Sequence, residues 1–272
     1  MSSSHTPPPR ILVFDSGVGG LSIVAEMRRH LPGVEMIFAS DNAAFPYGTK
    51  GEAELCERID IILHRFLQIA PADIVVVGCN TASTLALPRI RDQFDIPIIG
   101  VVPAIKPAAA ASTNKVIGVL ATPATVQRPY TQDLIEEFAQ GCRVILQGSS
   151  ELVHLAEAKL RGETIHPDRL KPILAPLFEA SAGPQLDTLV LACTHFPLLK
   201  EELISACPYP VEWIDSGEAI ARRAAYLLQQ QQLTPAATTC GSGVALFSRQ
   251  CPSIEQLKPA LRNFGLETIQ YS

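Results

Sequence analysis

Two cysteines stand at matching points of two similar stretches. Residues 73–84 read Asp-Ile-Val-Val-Val-Gly-Cys-Asn-Thr-Ala-Ser-Thr, and residues 187–199 read Asp-Thr-Leu-Val-Leu-Ala-Cys-Thr-His-Phe-Pro-Leu-Leu. Each starts with an acid, runs through a short apolar segment, passes a small residue and reaches a thiol followed by polar residues. Short apolar runs between turn-prone residues read as buried strands of a parallel sheet. Cys79 and Cys193 then sit at the carboxyl ends of strands, the side on which open α/β sheets bind ligands. Residues 82–91 read as a helix behind Cys79, and its positive end favours a thiolate there.

Two equivalent thiols suit inversion of configuration at a carbon next to a carboxylate. One base takes the proton from one face, and an acid returns a proton to the other. The roles exchange for the opposite enantiomer. Cysteine fits both roles because its pKa of about 8.5 is easily moved either way. Asp15 and His195 are the natural partners, since a carboxylate disfavours a nearby thiolate and a protonated imidazole favours it.

Other elements must bring these groups together. Residues 10–15 read as a first strand ending in Asp15-Ser16-Gly17-Val18-Gly19-Gly20, a glycine turn into a helix at residues 21–30. Such turns present backbone N–H groups to an anion. The turn is neither a Walker loop nor a dinucleotide fingerprint. A loop with Pro46-Tyr47-Gly48 follows a second strand at residues 34–39, a long helix covers residues 52–70, and a fourth strand spans residues 97–102. From about residue 103 the pattern restarts. A strand at residues 116–121 ends in Thr122-Pro123-Ala124-Thr125, and further elements lead to the Cys193 strand. Ser16 and Cys79 are 63 residues apart, and Thr122 and Cys193 are 71 apart. This spacing predicts a duplicated α/β unit with approximate two-fold symmetry. The expected division is residues 10–102 plus 211–272 as one α/β domain and 103–210 as the other, after a disordered tail at residues 1–9. A strand at residues 211–215, a helix at 216–230, a loop at 234–243 and a strand–helix–strand tail complete the chain.

Composition narrows the function classes. The 272 residues are 47% hydrophobic and 18% charged, below the average of about 25%, as fits sheets covered on both faces. A formal net charge of −5 without a basic run argues against nucleic acid or an anionic membrane as partner. No span reads as a membrane helix, and the first ten residues lack the pattern of a signal peptide. Seven cysteines with no Cys-x-x-Cys pair argue for a reducing, cytoplasmic setting without a structural metal. Cys56, Cys142, Cys207, Cys240 and Cys251 read as small packing residues, and His154 and His166 as surface residues.

Phe-Asp-Ser-Gly-Val-Gly-Gly (14–20), Pro-Tyr-Gly (46–48), Gly-Cys-Asn-Thr-Ala (78–82), Ala-Thr-Pro-Ala-Thr (121–125) and Ala-Cys-Thr-His (192–195) together resemble the glutamate racemases of the cofactor-independent aspartate/glutamate racemase superfamily. They span most of the chain in that family's order. The resemblance implies two α/β domains with mainly parallel sheets, an active site in the cleft between them, and no need of pyridoxal phosphate or metal. It implies interconversion of L- and D-glutamate, the latter for peptidoglycan, with Cys79 acting on the D-isomer and Cys193 on the L-isomer. Asp15 would assist near Cys79 and His195 near Cys193. Ser16, Pro46, Tyr47, Gly48, Asn80, Thr81, Thr122, Thr125, Thr194 and His195 match substrate-contacting positions, to which Asp15 is added. A functional glutamate would be Glu157, although His154 replaces the usual proline of that motif. A homodimer is compatible with the resemblance.

Three other readings stay open at this point. An aspartate racemase of the same superfamily would show itself in side-by-side turnover, and the Asp-Ser-Gly and Pro-Tyr-Gly motifs favour glutamate over it. A cysteine hydrolase with His195 as base leaves the second cysteine unexplained and would form a covalent acyl adduct. A pocket that only senses an amino acid would bind without Cα exchange.

Overall fold

The computed structural model of the chain describes residues 7–179, 185–233 and 243–272. Residues 1–6 of the expected tail, nearly all of the expected 234–243 loop, and Cys240 lie outside the described residues. The first unit runs β1 (Arg10–Asp15), α1 (Leu21–His30), β2 (Glu35–Ser40), α2 (Glu52–Ile69), β3 (Ile74–Val77), α3 (Asn80–Gln93) and β4 (Ile98–Gly100). The second runs α4 (Ile105–Ala111), β5 (Val116–Ala121), α5 (Pro123–Gln127), α6 (Pro129–Phe138), β6 (Arg143–Gly148), α7 (Glu151–Leu160), α8 (Lys171–Glu179), β7 (Thr188–Leu191), α9 (Lys200–Ala206) and β8 (Glu212–Ile214). The chain returns with α10 (Gly217–Gln230), β9 (Gly243–Phe247), α11 (Pro252–Asn263) and β10 (Leu266–Tyr271).

These strands form two parallel sheets, ordered β10-β9-β2-β1-β3-β4 and β6-β5-β7-β8. The order β2-β1-β3-β4 recurs as β6-β5-β7-β8, so β1 corresponds to β5 and β3 to β7. Even the closing bonds repeat. Gly78 N–H donates to Phe14 O at 2.6 Å, and Ala192 N–H to Leu120 O at 2.8 Å. Asp41 N–H donates to Asp15 O at 2.9 Å, and Ser149 N–H to Ala121 O at 2.8 Å.

One boundary differs from the sequence expectation. Residues 211–215 were expected in the first unit, but β8 pairs with β7, Trp213 opposite Leu189. A three-residue strand has little packing of its own and adds to the nearest open edge, here that of β7. The crossing back therefore comes after Ile214. α10 is the first returning element, and its Ile220, Ala224 and Leu228 pack with Val24 and Met27 of α1.

The central strands of both sheets are buried on both faces, with alternate side chains pointing to opposite sides. In the first sheet Ile11, Val13, Met36 and Phe38 pack beneath α1, α10 and α11. Leu12, Phe14, Ile37 and Val75 pack beneath α2 and α3, against Leu55, Ile59, Leu63, Phe66 and Ala86. The second sheet does likewise, with Val116, Leu120 and Leu189 on one face and Ile117, Val119 and Val190 on the other. This is why the strands read as continuous apolar runs. Among the described residues no helix is long and apolar enough to cross a membrane.

Candidate active site

The carboxyl ends of the two sheets face one another around a cavity of about 280 Å³. Both cysteines are on its wall, Cys79 from the end of β3 and Cys193 from the end of β7. Ser16, Pro46, Tyr47, Gly48, Asn80, Thr81, Thr122, Thr125, Thr194 and His195 also line it. The contacts across the cleft are short. Asn80 Nδ2 donates to Ala192 O at 2.7 Å, Ser22 Oγ to Thr194 O at 2.8 Å, and Thr194 Oγ1 to Asp15 Oδ2 at 3.1 Å. Asn80 Oδ1 is buried without a protein partner.

The two thiols are not equivalent in detail. Cys79 caps α3 directly, since the helix starts at Asn80 rather than at residue 82. Ala82 N–H and Ser16 Oγ, the latter at 3.9 Å, approach its sulfur. The expected preference for thiolate is nevertheless reversed. Burial, then the Asp15 carboxyl, push the Cys79 thiol up to about 12. Cys193 is half-buried and is followed by a 3-10 turn, Phe196–Leu199, before α9, so no α-helix starts behind its sulfur. It has His195 Nδ1 at 3.9 Å instead.

That imidazole is wholly enclosed and held by charge. His195 Nε2 lies 3.1 Å from Glu157 Oε1, which also accepts Val18 N–H at 2.8 Å. Glu157 Oε2 accepts from Arg161 at 2.9 Å. Burial alone would lower the His195 pKa, but its bonds to Cys193 and Glu157 and the nearby Asp15 outweigh this and raise it well above the usual imidazole range. Burial also opposes ionisation of Glu157, yet His195, Val18 N–H and Arg161 keep its carboxyl below the ordinary range. These surroundings favour the charged imidazole beside one thiol and the protonated form of the other.

Asp15 and Glu157 are placed behind the wall, not on it. Asp15 is fully buried, accepting Gly17 N–H at 2.9 Å and Thr194 Oγ1, and burial raises its pKa. It ends β1, bonds to Ser16 and to Thr194 of the other unit, and does not itself line the cavity. Glu157 faces a separate cleft of about 390 Å³ shared with Arg161 and Arg249. The Tyr47 hydroxyl is also committed elsewhere. It donates to Asp41 at 2.7 Å, and Arg58 holds Asp41 from the other side at 2.6 and 2.9 Å. Tyr47 thus shapes the cavity with its ring and backbone.

Sequence reasoning missed part of the wall. Phe45, Thr49, Pro123, Ala124, Ser150, Val153 and His154 also line the cavity. Ser150, Val153 and His154 follow β6, so the rule that ligands sit at carboxyl ends marks them once β6 is recognised. His154 is exposed as expected, but on the cavity rim. Its ring meets Phe45 edge-on at 6.2 Å, and Phe45 in turn lies 6.1 Å from the His195 ring. Among the described residues, no group of three or more His, Cys, Asp or Glu side chains is gathered as a metal would need.

Known proteins share this fold. A family described as Asp/Glu/Hydantoin racemase matches residues 20–224. Glutamate racemase of Escherichia coli is 49% identical over 264 residues, covering 97% of this chain and 91% of that protein. The crystal structure of the Escherichia coli glutamate racemase in complex with L-glutamate and the activator UDP-MurNAc-ala superposes with a TM-score of 0.90, at 49% identity, over 97% of this chain and 98% of that one. A glutamate racemase isoform from Bacillus anthracis follows at a TM-score of 0.81 and 27% identity, over 97% of each chain. With the family match spanning most of its length and such identity over nearly all of it, this chain belongs to the Asp/Glu/Hydantoin racemase family.

Proposed function

We propose that the chain is a glutamate racemase that interconverts L- and D-glutamate by a two-thiol exchange of the Cα proton. The observation that carries this reading is the pair of thiols from two sheets on the wall of one cavity, one with the His195 ring at 3.9 Å and the other buried near Asp15. The naming of the 49% identical relatives supports glutamate as the substrate.

In this mechanism Cys193 Sγ takes the Cα proton of L-glutamate, with His195 supplying the positive charge that a thiolate there needs. Glu157 and Arg161 keep that imidazole charged and oriented. Negative charge then develops on the substrate α-carboxylate. Preorganised donors at the strand ends, from Ser16, Asn80, Thr81, Thr125 and Thr194, stabilise it. Cys79 gives its proton to the opposite face. Asp15 keeps that thiol neutral until it is needed. The L-to-D step leaves Cys193 as the thiol and Cys79 as the thiolate, and from that form D-glutamate runs the sequence in reverse. A largely neutral lining explains how an acidic chain takes an acidic amino acid. The D-glutamate would serve peptidoglycan, in the cytoplasm.

The test is proton NMR of L-glutamate with the purified protein in D₂O without added cofactor, followed by chiral analysis. Loss of the Cα proton together with D-glutamate is the expected result. No exchange on either enantiomer overturns the reading, and a positive repeat with aspartate would move the substrate to that amino acid.

A further inference from the structure

A thiolate at Cys193 has His195 beside it, but a thiolate at Cys79 faces unfavourable company. Asp15 at the end of β1 and Cys193 from β7 both act on it as negative or potentially negative groups. Cys79 must nonetheless ionise when it serves as the base. Among the described residues, Arg128, between α5 and α6 on the second sheet's side, is a cation that reaches the turn carrying Cys79. Its guanidinium crosses the cleft, donating to Thr81 O at 3.2 Å and to Thr84 Oγ1. The Thr84 hydroxyl in turn donates within the same turn of α3, to Asn80 O at 3.0 Å or Thr81 O at 3.2 Å. That turn carries Cys79, Asn80 and Thr81, three residues of the cavity wall. The backbone of Arg128 is itself anchored to the site. Its N–H donates to Thr125 O at 3.4 Å, and Thr131 Oγ1 donates to the same carbonyl at 2.6 Å. Glu52 of α2 also acts on the half-buried guanidinium without pairing closely with it.

We propose that Arg128 is a positioning residue for the Cys79 half of the reaction, clamping the first turn of α3 from the opposite sheet and supplying the fixed positive charge that His195 supplies to Cys193. This rests on the racemase reading, and it deepens that reading by giving each thiol its own cation. A guanidinium suits the task because it stays charged when half-buried and holds two acceptors at once.

The test reads the thiol directly, so its outcome is separable from that of the racemase assay. Wild type, Arg128→Gln and Arg128→Lys are alkylated with iodoacetamide at pH 9, and Cys79 and Cys193 peptides are quantified by mass spectrometry. In Arg128→Gln, Cys79 should react at least about fivefold more slowly while Cys193 stays within about twofold of wild type, because only thiolate is alkylated. Arg128→Lys keeps the charge and should restore most of the Cys79 rate. Turnover of Arg128→Gln should fall about tenfold or more in kcat, with KM changed by less than about threefold. An unchanged or faster Cys79 rate in Arg128→Gln overturns the proposal, as does a lysine variant as slow as the glutamine one. A loss carried by KM alone overturns it too.

Discussion

At the scale of single residues, the site is asymmetric although its scaffold is repeated. His195 stands two residues after Cys193, whereas the position two after Cys79 is Thr81. One thiol thus acquires an imidazolium, and the other a buried carboxylate neighbour. Replacing either thiol with a weakly acidic hydroxyl should remove one of the two proton carriers. Cys79→Ser and Cys193→Ser are each expected to lower racemisation by about 10²-fold or more, read by chiral chromatography. Normal turnover in either variant would defeat the two-base mechanism. Glu157→Gln is a sharper probe of charge. The carboxylate stabilises the imidazolium, so its loss should let His195 deprotonate at lower pH. The alkaline limb of kcat/KM is expected to move acidward. An unmoved limb would separate Glu157 from the proton inventory.

At the scale of elements, the β1–α1 turn is where sequence and closure meet. Gly17 and Gly19 have ordinary negative φ, so it is closeness and not backbone freedom that excludes a side chain. A Cβ on Gly17 would overlap Glu157 Oε1 and lie 2.8 Å from the Phe45 ring. One on Gly19 would overlap His195 Nδ1 and lie 2.6 Å from Thr194 Oγ1. The turn thus presses its bare backbone against the residues that serve Cys193. Gly19→Ala should force His195 and Thr194 aside, an overpacking cost of about 1–3 kcal/mol. We expect at least a tenfold loss of kcat/KM, on the order of 1.4 kcal/mol in the transition state, with the circular dichroism spectrum unchanged. Full activity in this variant would mean that the turn and His195 need not touch during turnover. The short elements after the strands matter as much as the strands. α3 starts at once behind Cys79, while a 3-10 turn intervenes after Cys193, and this difference sets the two sulfurs in different surroundings.

At the scale of the whole molecule, two sheets are joined by two crossings, and Ser216 Oγ ties these together by donating to Val102 O at 2.5 Å. The cavity exists only while the sheets face one another, so a ligand that touches both must stabilise their docking. The Cys79→Ser, Cys193→Ser double variant binds without consuming its ligand and is the form to use. Each glutamate enantiomer at about 100 times its Kd should add about 2.7 kcal/mol, raising Tm by several degrees in a scanning calorimeter. Aspartate at equal concentration should raise it less, and equal shifts would remove the preference for glutamate. Much was legible without coordinates. The apolar runs marked the parallel strands because strands buried on both faces need apolar side chains throughout. The repeated run-plus-cysteine pattern marked the duplication, and the motif residues marked most of the cavity wall. The membership of β8 in the second sheet was not legible, because a three-residue strand joins whichever edge is nearest in space. Nor was the protonated state of Cys79, since burial and Asp15 act through distance and not through sequence spacing. The same holds for the placing of Asp15 and Glu157 behind the wall, the use of the Tyr47 hydroxyl on Asp41, and the reach of Arg128 across the cleft. Order along the chain dictates which side chains are available and which local elements carry them. Which of them touch is settled in three dimensions, because electrostatic and hydrogen-bonding partners are chosen over a few ångströms between segments far apart in the chain, 179 residues in the case of Asp15 and Thr194.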